Sequence, residues 1–256
     1  MKGPHMKTIG LIGGMSWASS ALYYGHFNRE VMQRLGGLRS ARVVLSSLDF
    51  AEVVAGQQAG DWDALAALLA DAARTLERAG ADVVLIGTNT MHRVADAVQA
   101  AISVPLLHIG DVTAAAIRGA GCRRVALLGT RYTMEQPFYV EHLARRGIAA
   151  IVPDADDRRE VHRAIFEELC RGEVRAHTGW RLRRIARRQI ERGAEGVVLG
   201  CTELSLALPQ AQLAGATVFD TTALHARAAV DFALEAGPAD VGLGLDERAP
   251  ALARAA

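Results

Sequence analysis

Cys201 follows the run Val197-Val198-Leu199-Gly200 and precedes Thr202-Glu203-Leu204. A thiol placed after a strand and at the mouth of a helix meets inward-pointing backbone N–H groups and the positive end of the helix dipole. Both favour the thiolate and lower a cysteine pKa from its free value of about 8.5. That placement predicts a functional thiol. Cys122 follows Gly121 just before a strand, and Cys170 shares a helical apolar stripe with Ile165, Phe166 and Leu169. Both are expected to be inert, small core residues.

Two glycine-containing turns in the N-terminal half offer a different chemistry. In Gly87-Thr88-Asn89-Thr90-Met91-His92, polar residues sit where a strand gives way to a helix. Asn and Thr there can serve simply as a helix N-cap. The same geometry, with free backbone N–H groups beside Asn89 and Thr90, can hold a carboxylate. Gly13-Gly14-Met15-Ser16 makes a similar anion-accepting turn, and Gly129-Thr130 closes the corresponding strand of the second half. The G-x-G-x-x-G spacing of a dinucleotide site is absent. His92 reads as a capping or core histidine rather than a base.

These residues need strands to carry them, and the chain supplies a regular alternation. Short β-rich runs, 8–12, 43–45, 83–86, 106–109, 125–128, 149–152, 197–199 and 217–219, are separated by segments with helical periodicity. Among the latter, Trp17, Ala21, Tyr24, Phe27 and Val31 are spaced to share one face of a long helix. Further helices are expected over 64–76, 94–101, 112–119, 135–145, 158–171, 178–192 and 221–235. Val83-Val84-Leu85-Ile86 is apolar on both faces, as in a parallel sheet covered on both sides. The pattern predicts an α/β protein with parallel sheets flanked by helices.

Two segments recur. The run from Gly80 to Thr88 aligns without a gap to that from Gly193 to Cys201, an offset of 113 residues, and Ile9–Gly13 resembles Val125–Gly129 at an offset of 116. Two matches at nearly one offset indicate an internal duplication. It makes two Rossmann-like, pseudo-symmetric lobes that are expected to face each other, with ligands at the strand C-termini. Thr88 and Cys201 then occupy equivalent positions, one in each lobe.

Composition removes other classes. Lys+Arg total 29 against 28 for Asp+Glu, a net charge of +1, whereas nucleic-acid binders carry basic excess. The block Arg181–Arg188 keeps apolar residues at helical spacing, so it reads as a solvated helix face near a dimer contact. Three dispersed cysteines make neither a disulfide framework nor a zinc knuckle, which predicts a reduced, cytoplasmic setting. No apolar run approaches the roughly 18 residues of a membrane span. Residues 1–5 are expected to be a cloning remnant, and the Ala-, Gly- and Pro-rich stretch 236–256 a loosely ordered tail.

Gly13-Gly14-Met15-Ser16-Trp17, Thr88-Asn89-Thr90-Met91-His92, Gly129-Thr130-Arg131-Tyr132-Thr133-Met134 and Gly200-Cys201-Thr202-Glu203 occur in that order. Together they resemble the aspartate/glutamate racemase family of cofactor-independent amino-acid racemases, over nearly the whole chain from Met6 to about Ala233. The resemblance implies two α/β lobes, 6–104 with 213–235 and 105–212, with the active site between them. It also implies a homodimer, a small acidic amino acid as substrate, no membrane or nucleic-acid partner, and no pyridoxal phosphate, metal or nucleotide.

By the same resemblance, two thiols act on opposite faces of the substrate Cα. The second matches Cys201; the first matches Thr88, as in a subgroup with threonine at this position. An aliphatic hydroxyl has no accessible anion near neutral pH. The expected activity is therefore one-sided, Cys201 taking the α-proton of L-aspartate or L-glutamate. Met15, Ser16, Asn89, Thr90, Thr130 and Thr202 match positions lining the family's substrate pocket, and Gln57 lies in what reads as a loop after Asp49-Phe50 that closes over the side chain. The family's cleft lysine is missing, but Arg158, Arg159 and Arg163 lie in that segment and could pair a distal carboxylate. Two other readings stand beside this one: a single-cysteine decarboxylase of malonate-type acids, and a non-catalytic protein that binds acidic amino acids.

Overall fold

The computed structural model describes residues 6–208, 213 and 215–235. The expected cloning remnant and loose tail lie outside the described residues. The described residues divide into two compact units, one of 6–109 with 222–235 and one of 110–208 with 213 and 215–221.

The first unit is built on a parallel sheet in the order β2-β1-β3-β4, from β1 (Ile9–Gly13), β2 (Val43–Ser47), β3 (Val83–Ile86) and β4 (Leu106–Leu107). Successive side chains of a strand point to opposite faces, and each face has its own core. Ile9, Leu11, Val83 and Leu85 pack under α1 (Trp17–Leu35) and α11 (Thr221–Leu234), with Tyr23, Phe27, Val31, Ala226 and Val230. Ile12, Val84 and Ile86 pack under α3 (Trp62–Arg78), whose Leu65, Leu69, Ala73 and Leu76 recur at helical spacing. Asp61 caps α3 by accepting the N–H of Ala64 at 3.0 Å. Truncating a buried leucine such as Leu69 to alanine costs about 2–5 kcal/mol in such a core.

The second unit repeats the plan. Its parallel sheet runs β6-β5-β7-β8, from β5 (Arg124–Gly129), β6 (Ala149–Ile151), β7 (Gly196–Gly200) and β8 (Thr217–Asp220). Ala126, Leu128, Val197 and Leu199 pack against Val161 of α8 (Ala155–Arg163) and Leu182 and Ile185 of α9 (Ala176–Glu191). The duplicated segments land on matching strands, β1 with β5 and β3 with β7, in two sheets of identical order.

Several expectations change. The exposed side of α1 carries Trp17, Ala21 and Tyr24, while Ser20, Tyr23, Phe27 and Val31 form its buried side. Of the expected stripe, Phe27 and Val31 are buried and Trp17, Ala21 and Tyr24 are not: the helix has apolar residues on both sides, so periodicity alone picks the face only in its C-terminal half. β4 pairs with β3, which puts 105–109 in the first unit rather than the second. β8 pairs with β7, so the returning segment starts at Thr222 rather than near Leu213. The helix expected over 135–145 is α7 (Pro137–Ala144), which Pro137 starts, and a short helix that was not expected, α6 (Arg131–Glu135), precedes it. The helix expected over 158–171 passes through a π turn, Ala164–Glu168, into a 3₁₀ turn, Leu169–Arg171.

Candidate active site

In the first unit, the C-terminal ends of β1 and β3 gather five of the sequence-predicted residues, Met15, Ser16, Thr88, Asn89 and Thr90. Gly14 turns the chain after β1 at φ +85°, and a Cβ there would lie 2.1 Å from the Leu48 carbonyl oxygen, so only glycine fits. Met15 and Ser16 follow, both buried. The Ser16 hydroxyl caps α1, accepting the N–H of Ser19 at 3.3 Å. After β3, Asn89 and Thr90 are buried while Thr88 stays partly exposed. Asn89 has helical backbone angles and makes no side-chain cap hydrogen bond, so it is not the N-cap that its type and position allow.

His92 fixes this loop. Its Nδ1–H donates to the Thr88 carbonyl at 2.8 Å, and its Nε2 accepts the Ile109 N–H at 3.1 Å. Since a carbonyl only accepts and an amide only donates, the ring is the neutral Nδ1–H tautomer. Beneath it, the buried His225 accepts from the Tyr23 hydroxyl at Nδ1 and donates from Nε2 to the Leu107 carbonyl, both at 2.8 Å. Burial pushes His225 down to about 4.

Gln57 is on a helix, not a loop. Asp49 caps α2 (Phe50–Ala59) by accepting the Ala51 N–H, and Gly60 closes it at φ +73°. Gln57 is buried, and its Nε2 donates to the Met91 sulfur at 3.2 Å.

The second unit brings Thr130, Cys201 and Thr202 to the ends of adjacent strands. Gly129 of β5 is in register with Gly200 of β7, and a Cβ on Gly129 would lie 2.9 Å from the Gly200 carbonyl oxygen. Thr130 is buried and caps α6, accepting the Thr133 N–H. Cys201 is partly exposed, as is Thr88 at the equivalent point of the first unit.

The state of Cys201 differs from the sequence expectation. Burial pushes its thiol well up, and the charge of Glu203 and the neighbouring Cys170 push the same way. The following helix, α10 (Leu204–Ala207), is a single turn and supplies little dipole. The S–H donates to the Glu203 carboxylate at 3.1 Å, and the Thr202 hydroxyl donates to the same oxygen. Glu203 is the residue that sequence reasoning quoted without assigning, and its signal was its place two positions after the thiol. Cys170 sits in the 3₁₀ turn packed against the core, as expected, and burial raises its thiol strongly, with Glu203 pushing the same way. Cys122 is buried, and burial raises it as well.

Each of the three arginines near Ile165 is already held by a carboxylate. Arg158 donates to Glu135 at 2.9 Å, Arg159 pairs with Asp156, and Arg163 reaches Glu160 at 3.0 Å and the buried Glu168 at 2.9 Å. Arg131 differs. It follows Thr130, stacks on the Tyr132 ring at 4.9 Å, donates to that residue's hydroxyl, and has no carboxylate partner among the described residues.

Two parallel sheets of identical order, with polar residues and a thiol at their strand C-termini, define a duplicated α/β protein. The description Asp/Glu/Hydantoin racemase matches residues 12–229, and the chain belongs to that family. It is 48% identical to a Yersinia pestis protein of known structure, provisionally described as an Asp/Glu racemase, with a TM-score of 0.83 over 90% of this chain and 100% of that one. An aspartate racemase homologue from Pyrococcus horikoshii is 37% identical, with a TM-score of 0.77 and the same coverage of both chains. The broad specificity amino-acid racemase RacX of Bacillus subtilis is 26% identical over 66% of this chain and 73% of its own. Unliganded arylmalonate decarboxylase, at 19% identity and a TM-score of 0.51 over 92% of this chain and 97% of that one, shares the fold alone. Among the described residues, no helix is long and apolar enough to cross a membrane.

Proposed function

We propose that this protein is a cofactor-independent racemase of aspartate and glutamate. In it the Cys201 thiolate removes the α-proton of the L enantiomer, and Thr88 stands where a second thiol would act. The observation that carries the reading is the matched placement of the two residues. Leu85-Ile86-Gly87-Thr88 and Val198-Leu199-Gly200-Cys201 close the third strand of two sheets with one topology. Met15, Ser16, Asn89, Thr90, Thr130 and Thr202 hold the amino acid, chiefly its α-carboxylate, and Gln57 borders the side chain. Arg131, a guanidinium without a carboxylate partner among the described residues, is the cation we assign to the distal carboxylate.

The chemistry is unequal on its two sides. A thiolate is a competent base, whereas the Thr88 hydroxyl reaches no anion near neutral pH and serves only to return the proton, as a poor donor itself or by holding a water that does. Incubation with each enantiomer in deuterated water tests this. Faster α-exchange from the L substrates supports it, and equal rates overturn the one-base assignment. Carbon dioxide release from a disubstituted malonate, without exchange in aspartate or glutamate, moves the reading to a decarboxylase. Thermal stabilisation by L-aspartate or L-glutamate without turnover moves it to a binding protein.

We also propose a cytoplasmic homodimer. The exposed apolar residues Trp17, Tyr24, Met32 and Leu35 of α1, with Leu45 on the edge strand β2, are the surface a second copy would cover. A monomeric mass by light scattering would overturn this.

A further inference from the structure

The contact between Cys201 and Glu203 bears on how the thiol loses its proton. The Cys201 S–H donates to Glu203 Oε2 at 3.1 Å. Glu203 is only 2% exposed, yet its carboxylate also accepts from the Thr202 hydroxyl of its own loop. A buried carboxylate is retained where donors hold it, because desolvation penalises an unpaired one. We propose that Glu203 is the positioning residue of Cys201, holding the thiol by its proton and accepting that proton when the thiolate forms, while Thr202 fixes the carboxylate. Its turnover arm rests on the racemase reading; its thiol arm does not.

The proton count closes. In the resting pair, sulfur carries the proton and Glu203 is ionised. When Cys201 acts as base, the S–H bond breaks and an O–H bond forms on Glu203, leaving a thiolate beside a neutral carboxylic acid. The thiolate then takes the α-proton and becomes a thiol again, the C–H electron pair staying on the substrate carbon. Water reprotonates that carbon on the other face, and Glu203 returns its proton to solvent. One proton enters and one leaves per turnover, and nothing is oxidised or reduced. The pair carries a single negative charge before and after the thiolate forms, so that step creates no new buried charge; the charge passes to the substrate carbon with the α-proton transfer and returns to Glu203 when it gives its proton to solvent. The groups around Cys201 that bear on its titration are Glu203 from its own loop and Cys170 from the neighbouring turn.

Glu203→Gln separates this from a structural role, since an amide can still accept from the thiol but cannot take its proton. Two readouts on the full chain should move in opposite directions. The pH profile of Cys201 alkylation by iodoacetamide, followed on its peptide by mass spectrometry, should shift to lower pH, because the neighbouring negative charge is gone. Turnover of L-aspartate, read as α-deuterium exchange, should fall about 100-fold in kcat with KM within about threefold. Glu203→Asp, with its carboxylate drawn back by one methylene, should regain part of the lost kcat. An alkylation profile that stays in place, or a Glu203→Gln kcat within threefold of wild type, overturns the proposal. If Glu203→Gln does not fold, wild type and Glu203→Asp decide. A wild-type alkylation midpoint at or below the free-thiol value of about 8.5 overturns it, as does an unchanged profile in Glu203→Asp. If wild type exchanges no α-proton, the racemase reading fails while the alkylation profiles still test the pair.

Discussion

His92 grips the Thr88 backbone from one side and the Ile109 backbone from the other, at 2.8 and 3.1 Å, with both ring nitrogens used. The loop that presents Thr88 is thus tied to the first residue of the helix after β4. His92→Ala leaves a buried carbonyl and amide without these partners, each costing about 1–3 kcal/mol. The expected loss is about 3 kcal/mol in urea unfolding, with Cys201 labelling unchanged because Cys201 belongs to the other unit. A loss below about 1 kcal/mol would show that water replaces the ring.

His225 makes acid stability a property of the first unit. Its folded pKa of about 4 lies below the ordinary 6.5, so the unfolded chain takes up the proton first as the pH falls. Stability is therefore independent of this group above about pH 6.5 and declines from there to about pH 4. The full loss is about 3 kcal/mol at 1.36 kcal/mol per pKa unit. His225→Gln cannot titrate, so its unfolding free energy should be flatter than wild type across that window. Equal slopes in the two proteins would remove His225 as the cause. The groups against the ring are the Tyr23 hydroxyl, the Leu107 carbonyl and neutral His92, whose ring centre is 5.8 Å away.

Arg131 tests how an acidic side chain is recognised. Arg158, Arg159 and Arg163 spend their guanidinium groups on carboxylates of the chain, whereas Arg131 rests on Tyr132. A charge-assisted hydrogen bond contributes about 1.5–3 kcal/mol, or roughly 10- to 100-fold in affinity. Arg131→Ala should therefore raise KM for L-aspartate and L-glutamate by at least tenfold while leaving kcat near wild type. The KM of any neutral amino acid that exchanges should not move. Equal effects on acidic and neutral substrates would take Arg131 out of this role.

Much of the fold was legible because β1, β3, β5 and β7 are apolar on both faces and end at a glycine or just before one, a pattern that survives without tertiary information. The duplication sharpened it, pairing Thr88 with Cys201 before any coordinates. What escaped depended on neighbours far along the chain. α1 offers two apolar stripes, and only the presence of α11 decides that Tyr23 rather than Tyr24 goes inside. Gln57 read as a loop residue because the segment from Phe50 to Ala59 has no sustained apolar face, yet caps at Asp49 and Gly60 make it helical. The direction of the Cys201 shift was misjudged for a similar reason. A strand-end position suggests dipole assistance, but burial and the contact with Glu203 emerge only when the loop folds.

Thr88→Cys puts the one-sided assignment to its most direct test. Thr88 is partly exposed and its backbone is held by His92, so the smaller change in side-chain volume leaves the loop's hydrogen bonds in place. A thiol there supplies what a hydroxyl lacks, a few per cent of anion at neutral pH. A well-placed proton-transfer group contributes about 10²–10⁴-fold, so α-exchange from D-aspartate or D-glutamate should rise about 100-fold, with exchange from the L enantiomers changed far less. Cys201→Ala in the same background should abolish L-side exchange and leave D-side exchange measurable. A Thr88→Cys variant whose two enantiomers respond alike, or not at all, would show that this position does not act at the second face of the substrate.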